Sequence, residues 1–384
     1  MTLKRYLDDK PLYYDKIDCS RMPRAYESVK SHINLPKIVQ IVGTNGKGST
    51  GRFTAQMLLQ KGLHVGHYTS PHLFKFNERI WIDGEDVSDE TLELAHEKLQ
   101  AILNDEFKKS LSYFEYTTLL AMVIFSKNFD YVILEAGLGG EYDATTVFPK
   151  ILSVLTPVGY DHESFLGESI EEIATTKINS IQKRLLVSKQ YEKSVYEIAK
   201  KICDEKKAEL FFVEDVLSVE KKREIENFIL KNSMPHFQES NLKTALCVLE
   251  ILGFDVDLGS MRLSPIYGRA QKISKNITID VGHNPMAAKA LREHFKGKKV
   301  TLVYNSFKDK EYAKILDILY PIISKVEIIK LENARGMASE EILDICKQKG
   351  LECTLFEKLE DSKEYLVFGS FLVVEKFLKD YFEK

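Results

Sequence analysis

The sequence has little of what secreted, membrane-spanning or nucleic-acid-binding proteins depend on. Its five cysteines are odd in number and lack the spacing of a metal site, so we expect reduced thiols in a cytoplasmic protein. No apolar run approaches the length of a membrane span, and the N-terminus lacks the apolar segment of a secretory signal. A net charge of -3 gives no electrostatic reason to expect nucleic acid or a membrane as partner.

The composition that remains is that of a globular protein with more than one core. Its 384 residues exceed the usual size of a single domain, and 44% of them are hydrophobic. Nearly continuous apolar runs at 131–134 and 151–155 are typical of strands in a covered parallel sheet. Apolar residues with helical spacing at 88–103 and 116–126 precede these runs. The predicted fold class is therefore α/β, with a mainly parallel sheet.

A cluster of glycine, serine and proline between residues 259 and 268 marks a domain boundary. We predict a domain at 1–265, a linker at 266–271 and a C-terminal domain at 272–384. Strand and helix patterns alternate in the tail, which predicts a second, smaller Rossmann-like unit. Its predicted strands are 277–279, 300–304, 326–329 and 365–368.

The most informative motif, Gly-Thr-Asn-Gly-Lys-Gly-Ser, follows an apolar run and opens a helical segment. Its glycines let the backbone approach phosphate oxygens, and the helix N-terminus adds partial positive charge to that of the lysine. The spacing is the shorter GxxGKG[ST] form and not the usual Walker A pattern. It predicts a nucleoside triphosphate site, and a solvated glycine turn is the alternative. The predicted contacts are Gly43, Thr44, Asn45, Gly46, Lys47, Gly48 and Ser49.

Two other strand ends carry side chains suited to a divalent cation. Glu135 ends one apolar run and precedes a glycine-rich turn, and His162 follows the run at 151–155. Because the carboxyl ends of parallel strands meet at one edge of a sheet, both are expected beside the phosphate loop. A carboxylate there suits Mg²⁺ that bridges phosphate oxygens. The alternatives are a helix-capping role for Glu135 and a structural, hydrogen-bonded histidine at 162.

The order of these motifs resembles that in folylpolyglutamate synthases, a branch of the Mur ligase superfamily that includes bacterial bifunctional dihydrofolate synthase/folylpolyglutamate synthase. The resemblance extends from about residue 38 to at least 297. It implies a Mur-ligase-like N-terminal P-loop ATPase domain and a Rossmann-like C-terminal domain. It also implies an ATP-dependent ligase that joins L-glutamate to dihydropteroate and to reduced folates through an acyl phosphate. The segments that carry it, besides the phosphate loop, are 69–73, 77–80, 112–115, 135–140, 143–145, 159–162 and 280–285.

The resemblance also implies roles for single residues. Ser70, Glu135 and His162 match magnesium ligands, and two ions are expected. Lys177 matches a lysine that the family carbamylates, and together with Lys47 and His162 it forms the predicted catalytic group. ATP contacts outside the phosphate loop are matched by Asn241, Arg269, Asp280 and His283. The pteroate segments are matched by Ser112, Tyr113, Phe114, Glu115, Tyr142, Asp143 and Ala144.

The aromatic pair at 113–114 can enclose a flat pterin ring, and Glu115 can accept hydrogen bonds from its N–H groups. The alternative is that both rings are core residues at the start of a helix. The chain departs from the usual family pattern at four places, which bear on substrate preference more than on reaction type. Arginine is usual where Glu141 stands, and Lys-Ala-Gly-Ile is common where 177–180 reads Lys-Ile-Asn-Ser. Thr146 and Tyr267 replace the usual asparagine and proline.

Other functions share part of this pattern. One alternative is a folylpolyglutamate synthase that lacks dihydrofolate synthase activity. Another is a Mur-superfamily ligase that uses a UDP-linked muramyl acceptor. A P-loop regulatory or motor protein would hydrolyse ATP without any acceptor. For the ligase we expect a monomer whose two domains close over ATP and exclude water from the acyl phosphate.

Overall fold

The computed structural model of the protein describes residues 1–11, 18–161, 163–331 and 337–382. The chain divides into two compact units, Met1–Asn232 with Gln238–Ser264, and Ser233–Phe237 with Pro265–Lys384. The separate linker at 266–271 and the roles assigned to the two domains stay predictions.

The first unit is built on an eight-stranded sheet. Its strands are β1 Lys37–Val42, β2 Val65–Tyr68, β3 Ile80–Ile82, β4 Glu85–Asp86, β5 Tyr131–Glu135, β6 Leu152–Leu155, β7 Arg184–Val187 and β8 Glu209–Phe212. They lie in the order β4-β3-β2-β5-β1-β6-β7-β8. The pairs β2–β3 and β3–β4 are antiparallel, and the other pairs in this sheet are parallel. The predicted mainly parallel sheet is confirmed.

Helices cover this sheet because its central strands are apolar on both faces. Every residue of β5 and β6 is buried, as parallel strands between helical layers require. The helices of the first unit are α1 Leu3–Asp8, α2 Arg21–Val29, α3 Lys47–Leu59, α4 Asp89–Ile102, α5 Asp105–Ser110, α6 Tyr113–Phe125, α7 Glu163–Leu166, α8 Ile170–Ile178, α9 Lys193–Lys206, α10 Val213–Val216, α11 Val219–Lys231 and α12 Gln238–Ile251.

The second unit contains a six-stranded sheet and fits the predicted Rossmann-like pattern. Its strands are β9 Gln271–Ser274, β10 Ile277–Asp280, β11 Val300–Tyr304, β12 Ile323–Ile328, β13 Cys353–Leu355 and β14 Tyr365–Phe368, in the order β13-β12-β11-β14-β10-β9. Only β9 is antiparallel to its neighbour within this sheet. Its helices are α13 Pro285–His294, α14 Tyr312–Leu319, α15 Ser339–Gln348 and α16 Phe371–Phe377.

Helix α6 begins earlier than its apolar spacing predicts. It begins at Tyr113 and not at 116, because the Ser112 side chain caps its first turn. Helix α3 begins at Lys47, within the phosphate-loop motif as predicted, and Gly46 precedes it in the left-handed conformation. Within the described ranges, the helices are too short or too polar to cross a membrane.

Candidate active site

The phosphate loop joins β1 to α3 and needs glycine at two points. Gly46 has φ +84°, and a Cβ there would lie 2.4 Å from Asn241 Oδ1 on α12. Gly43 has φ +145°, and a Cβ there would lie 2.0 Å from Thr156 Oγ1. Both positions therefore exclude a side chain for conformational and steric reasons. The loop amides that open α3 lack helical acceptors, as phosphate binding requires.

The segment after β6 fixes the shape of this loop. The carbonyl of Pro157 accepts hydrogen bonds from the backbone N–H groups of Thr44 and Asn45, at 2.9 and 3.3 Å. The Thr44 hydroxyl donates to the Gly159 carbonyl at 3.0 Å and accepts from the Gly159 N–H at the same distance. The segment predicted to carry a metal ligand thus also holds the phosphate loop. His162 itself lies outside the described residues.

Lys47 and Lys177 converge on the same carbonyl. Lys47 Nζ donates to the carbonyls of Gly43 and Thr44 at 3.3 and 3.2 Å, so its charge lies within the loop. Lys177, in the last turn of α8, is only 3% exposed and donates from Nζ to the Gly43 carbonyl at 3.0 Å. Burial, and then the charge of Lys47, lower the pKa of Lys177 to about 7. A large share of this amine is therefore neutral and nucleophilic near neutral pH.

Glu135 lies beside the phosphate loop because β5 pairs with β1, with Glu135 opposite Ile41. Its carboxylate accepts a hydrogen bond from the Thr69 hydroxyl and one from the Ser70 N–H at 3.3 Å. Two of the three predicted magnesium ligands, Ser70 and Glu135, are thus together. Their oxygens fit Mg²⁺, which takes few protein ligands and shares phosphate oxygens. Within the described residues, no group of three or more acidic, histidine or cysteine side chains is placed to hold a metal ion, at this edge or elsewhere.

Asp143 stabilises the glycine turn after β5, residues 137–140, through hydrogen bonds. One carboxylate oxygen accepts from the N–H groups of Gly137 and Leu138 at 2.9 and 3.0 Å, and the other accepts from the N–H and hydroxyl of Thr145. Burial raises the pKa of Asp143. A Cβ at Gly140 would lie 2.5 Å from the Lys177 carbonyl oxygen, so the turn packs directly on α8.

Glu141 and Tyr142 continue this turn toward solvent. The Glu141 N–H donates to the Thr176 carbonyl at 2.8 Å, and its carboxylate accepts from Asn179 Nδ2 at 2.9 Å. Tyr142 is 63% exposed, and the Glu141 charge raises its pKa. The charge that departs from the usual family pattern therefore contacts α8. Ala144 is buried behind the turn.

In the predicted pteroate segment, Glu115 already has partners. Its Oε2 atom accepts from the N–H and hydroxyl of Ser112 at 2.8 and 2.7 Å, in a capping box. Arg21 on α2 donates from Nε to the same oxygen at 2.9 Å. Recognition of a pterin by Glu115 stays a prediction, and the Ser-x-x-Glu spacing was a signal of this cap.

The two aromatic rings of the segment face different neighbours. The Phe114 ring packs on the glycine turn, where a Cβ at Gly137 would lie 2.6 Å from it. The Arg79 guanidinium lies 5.2 Å from the Tyr113 ring centre, and its Nε donates to His72 Nδ1 at 2.8 Å. Sequence reasoning missed Arg79 and His72 as site residues, although both belong to motifs that carry the family resemblance.

In the second unit, three predicted ATP contacts gather around the end of β10. Asp280 accepts from the N–H groups of Ala270 and Gly282 at 2.8 and 2.7 Å, and burial raises its pKa. The Arg269 guanidinium, whose charge opposes that rise, lies 5.2 Å from the Phe371 ring centre. His283 follows two residues after Val281 at the same strand end. Their contact with ATP stays a prediction.

Comparison with known proteins extends over nearly the whole chain. No family model matches the sequence. In an alignment of 403 positions, gaps included, the chain is 32% identical to the dihydrofolate synthase/folylpolyglutamate synthase of Haemophilus influenzae. The alignment covers 89% of this chain and 88% of that protein. The folylpolyglutamate synthetase structure of Helicobacter pylori is 40% identical with a TM-score of 0.81, covering 98% and 97%. The Yersinia pestis bifunctional folylpolyglutamate synthase/dihydrofolate synthase, complexed with AMPPNP and Mn, is 25% identical with a TM-score of 0.81, covering 98% and 96%.

Proposed function

Because the chain belongs to the dihydrofolate synthase/folylpolyglutamate synthase family and has its Mur-ligase-like fold, we propose that it joins L-glutamate to dihydropteroate and to reduced folates, using ATP. The observation that carries this proposal is the meeting of three groups at one sheet edge. Lys47 and Lys177 both donate to the Gly43 carbonyl, and Glu135 ends the strand beside that loop.

The reaction needs an activated carboxylate, because a free carboxylate is a poor electrophile. The acceptor carboxylate attacks the γ-phosphorus of ATP and releases ADP, and the L-glutamate amine then displaces phosphate to form the amide. Lys47 neutralises charge on the transferring phosphoryl group. Ser70, Glu135 and His162 would hold Mg²⁺, which supplies further charge neutralisation and orientation when bound. The protein's main contribution is positioning.

Lys177 is suited to carbamylation by its neutral amine. The nitrogen lone pair adds to the carbon of CO2 and a proton leaves, which converts the neutral amine into an anion. A buried lysine whose pKa is about 7 provides the neutral form at little cost near neutral pH. The resulting carbamate beside Gly43 would add negative charge for a second Mg²⁺ ion.

The acceptor site is proposed where the pteroate segments meet the glycine turn. Phe114 packs on Gly137 in the turn that follows Glu135, and the adjacent Tyr113 lies beside the Arg79 guanidinium. Flat pterin and aminobenzoyl rings fit such surfaces. We place the reaction in the cytoplasm, and the five free thiols agree with a reducing compartment.

ADP formation with alternative acceptors tests the proposal. Purified protein with ATP and Mg²⁺ is given dihydropteroate or tetrahydrofolate, each with and without L-glutamate, and the products are identified by mass spectrometry. We expect turnover with either acceptor, and only when glutamate is present. Activity on tetrahydrofolate alone would leave a folylpolyglutamate synthase, and ATP turnover without an acceptor would indicate a P-loop ATPase. Turnover with a UDP-linked muramyl acceptor would indicate another Mur-superfamily ligase.

A further inference from the structure

Two residues far apart in the sequence contact each other. Glu141 follows the double glycine after β5, and Asn179 follows α8, two residues after Lys177. They are 38 residues apart, yet Asn179 Nδ2 donates to Glu141 Oε2 at 2.9 Å. The two side chains therefore form one interaction.

This interaction joins the glycine turn to the last turn of α8. The Glu141 N–H also donates to the Thr176 carbonyl at 2.8 Å, so the turn contacts the helix through both backbone and side chain. Gly140 lies directly against the Lys177 backbone. The carbonyl of Lys177 accepts from the Ser180 hydroxyl at 2.8 Å. All of these contacts surround Lys177, whose amine reaches the phosphate loop.

Helix α8 ends at this point, which makes its last turn dependent on such contacts. The final carbonyls of a helix lack intrahelical donors, and its last turn frays most easily. Asn179 is the C-cap of α8, and its carbonyl accepts from Lys206 on α9. The Glu141 bond is a side-chain contact between the glycine turn and this last turn of α8. Its loss would loosen the turn of helix from which Lys177 Nζ reaches the Gly43 carbonyl.

We infer that Glu141 and Asn179 are positioning residues that hold Lys177 against the phosphate loop, an inference that rests on the proposed function of Lys177. Glu141 therefore acts through α8, although the family resemblance places it beside the pteroate segment. Its carboxylate works as a hydrogen-bond acceptor, so its charge is not required. Glutamine at 141 retains an acceptor oxygen, whereas alanine does not.

A double-mutant cycle on glutamate-dependent ADP formation tests the pair. Glu141→Ala and Asn179→Ala should each lower kcat about tenfold, and the double variant should lose no more than either single one, since both break the same bond. Glu141→Gln should stay within about twofold of the native protein. Asn232→Ala, which removes an asparagine from the C-cap of α11, is the matched control. Additive losses, or equal losses for alanine and glutamine at 141, would overturn the inference.

ADP binding in a Lys177→Ala background separates positioning from a general structural role. With Mg²⁺ present, Glu141→Ala should weaken ADP binding about threefold in calorimetric titrations of the otherwise native protein, and should cause no further loss when Lys177 is absent. The same loss in both backgrounds would contradict action through Lys177. This readout needs no acceptor or glutamate. It therefore judges the inference even if the proposed ligation fails.

Discussion

The first unit buries two lysines equally, one before strand β6 and one on helix α8. Lys150 precedes β6, and Lys177 lies at the phosphate loop beyond the end of β1; each is 3% exposed. Burial lowers the pKa of both amines to about 7. Lys150 Nζ donates to Gln40 Oε1 at 2.9 Å and to the Thr146 carbonyl at 3.2 Å. Lys177 donates to the Gly43 carbonyl and has the charge of Lys47 as a neighbour.

The comparison shows that a lysine whose pKa is lowered by burial does not have a catalytic role for that reason alone. The Lys150 amine is part of a polar network, in which Gln40 also donates to the hydroxyls of Thr145 and Thr146 at 2.8 Å each. This network contacts the glycine turn, because the Thr146 hydroxyl donates to the Gly140 carbonyl at 2.6 Å. The Lys177 amine instead points at the loop expected to hold phosphates. Location relative to the chemistry, and not burial, distinguishes them.

Replacement of Lys47, in the phosphate loop that Lys177 contacts, should have the largest effect on the rate of ligation. Lys47→Ala should lower the rate of ligation by at least about a hundredfold, because it removes a full positive charge from the transition state. The measurement is glutamate-dependent ADP formation at saturating ATP and Mg²⁺, with the fold checked by circular dichroism. Lys61→Ala, an exposed lysine just after α3, is the control. Near-native turnover of the Lys47 variant would show that the phosphate-loop assignment is wrong.

Parallel substitutions of the two buried lysines test the comparison itself. Lys177→Met should lower kcat about a hundredfold with little change in stability. Lys150→Met should retain kcat within about fivefold, and should lower the free energy of unfolding by about 1–3 kcal/mol, because two buried acceptors lose their donor. Steady-state kinetics and urea unfolding of both variants check this. If both variants lose activity equally, the distinction between the two sites collapses.

Replacement of Glu135 tests the predicted metal site at the sheet edge where Lys177 contacts the phosphate loop. Glu135→Ala should raise the Mg²⁺ concentration needed for half-maximal activity by about tenfold, since it removes an oxygen ligand; His162→Ala should act in the same direction. Mn²⁺, which accepts both oxygen and imidazole ligands, should partly restore activity. Activity is titrated with each metal at fixed ATP. Unchanged metal dependence in both variants would remove these residues from the metal site.

The smallest effect is the pH dependence of stability due to Lys150. Its folded pKa of about 7 lies below the ordinary value of 10.5, so between these values the unfolded chain binds more protons than the folded one. The native protein should therefore gain stability relative to Lys150→Met as the pH rises from about 7 to about 8, by about 1 kcal/mol. Urea unfolding at several pH values measures the difference. A flat difference would show that Lys150 keeps its ordinary pKa in the folded state.

Local patterns predicted the elements that position the site. An apolar run followed by glycines and a lysine was enough to place β1, the phosphate loop and α3, because strand, turn and helix signals are adjacent there. Helical spacing also placed α4, predicted at 88–103, within one residue of its observed bounds.

Contacts distant in the sequence could not be predicted in this way. A single arginine such as Arg21, or a single lysine such as Lys150, carries no periodic signal of its partner. The bond between Glu141 and Asn179 depends on how a turn packs on a helix, which only the folded chain specifies. Glu115 shows why a local pattern can be ambiguous. A glutamate three residues after Ser112 suits both a pterin-binding segment and a helix cap.

The central claim is that ATP activates the acceptor carboxylate at this site, and isotope transfer tests it most directly. Dihydropteroate labelled with 18O in both carboxylate oxygens is incubated with the protein, ATP, Mg²⁺ and L-glutamate. If an acyl phosphate forms, one 18O atom should appear in inorganic phosphate for each dihydrofolate produced. The other should remain in the new amide. Unlabelled phosphate, formed in step with dihydrofolate, would contradict activation of the carboxylate by phosphoryl transfer.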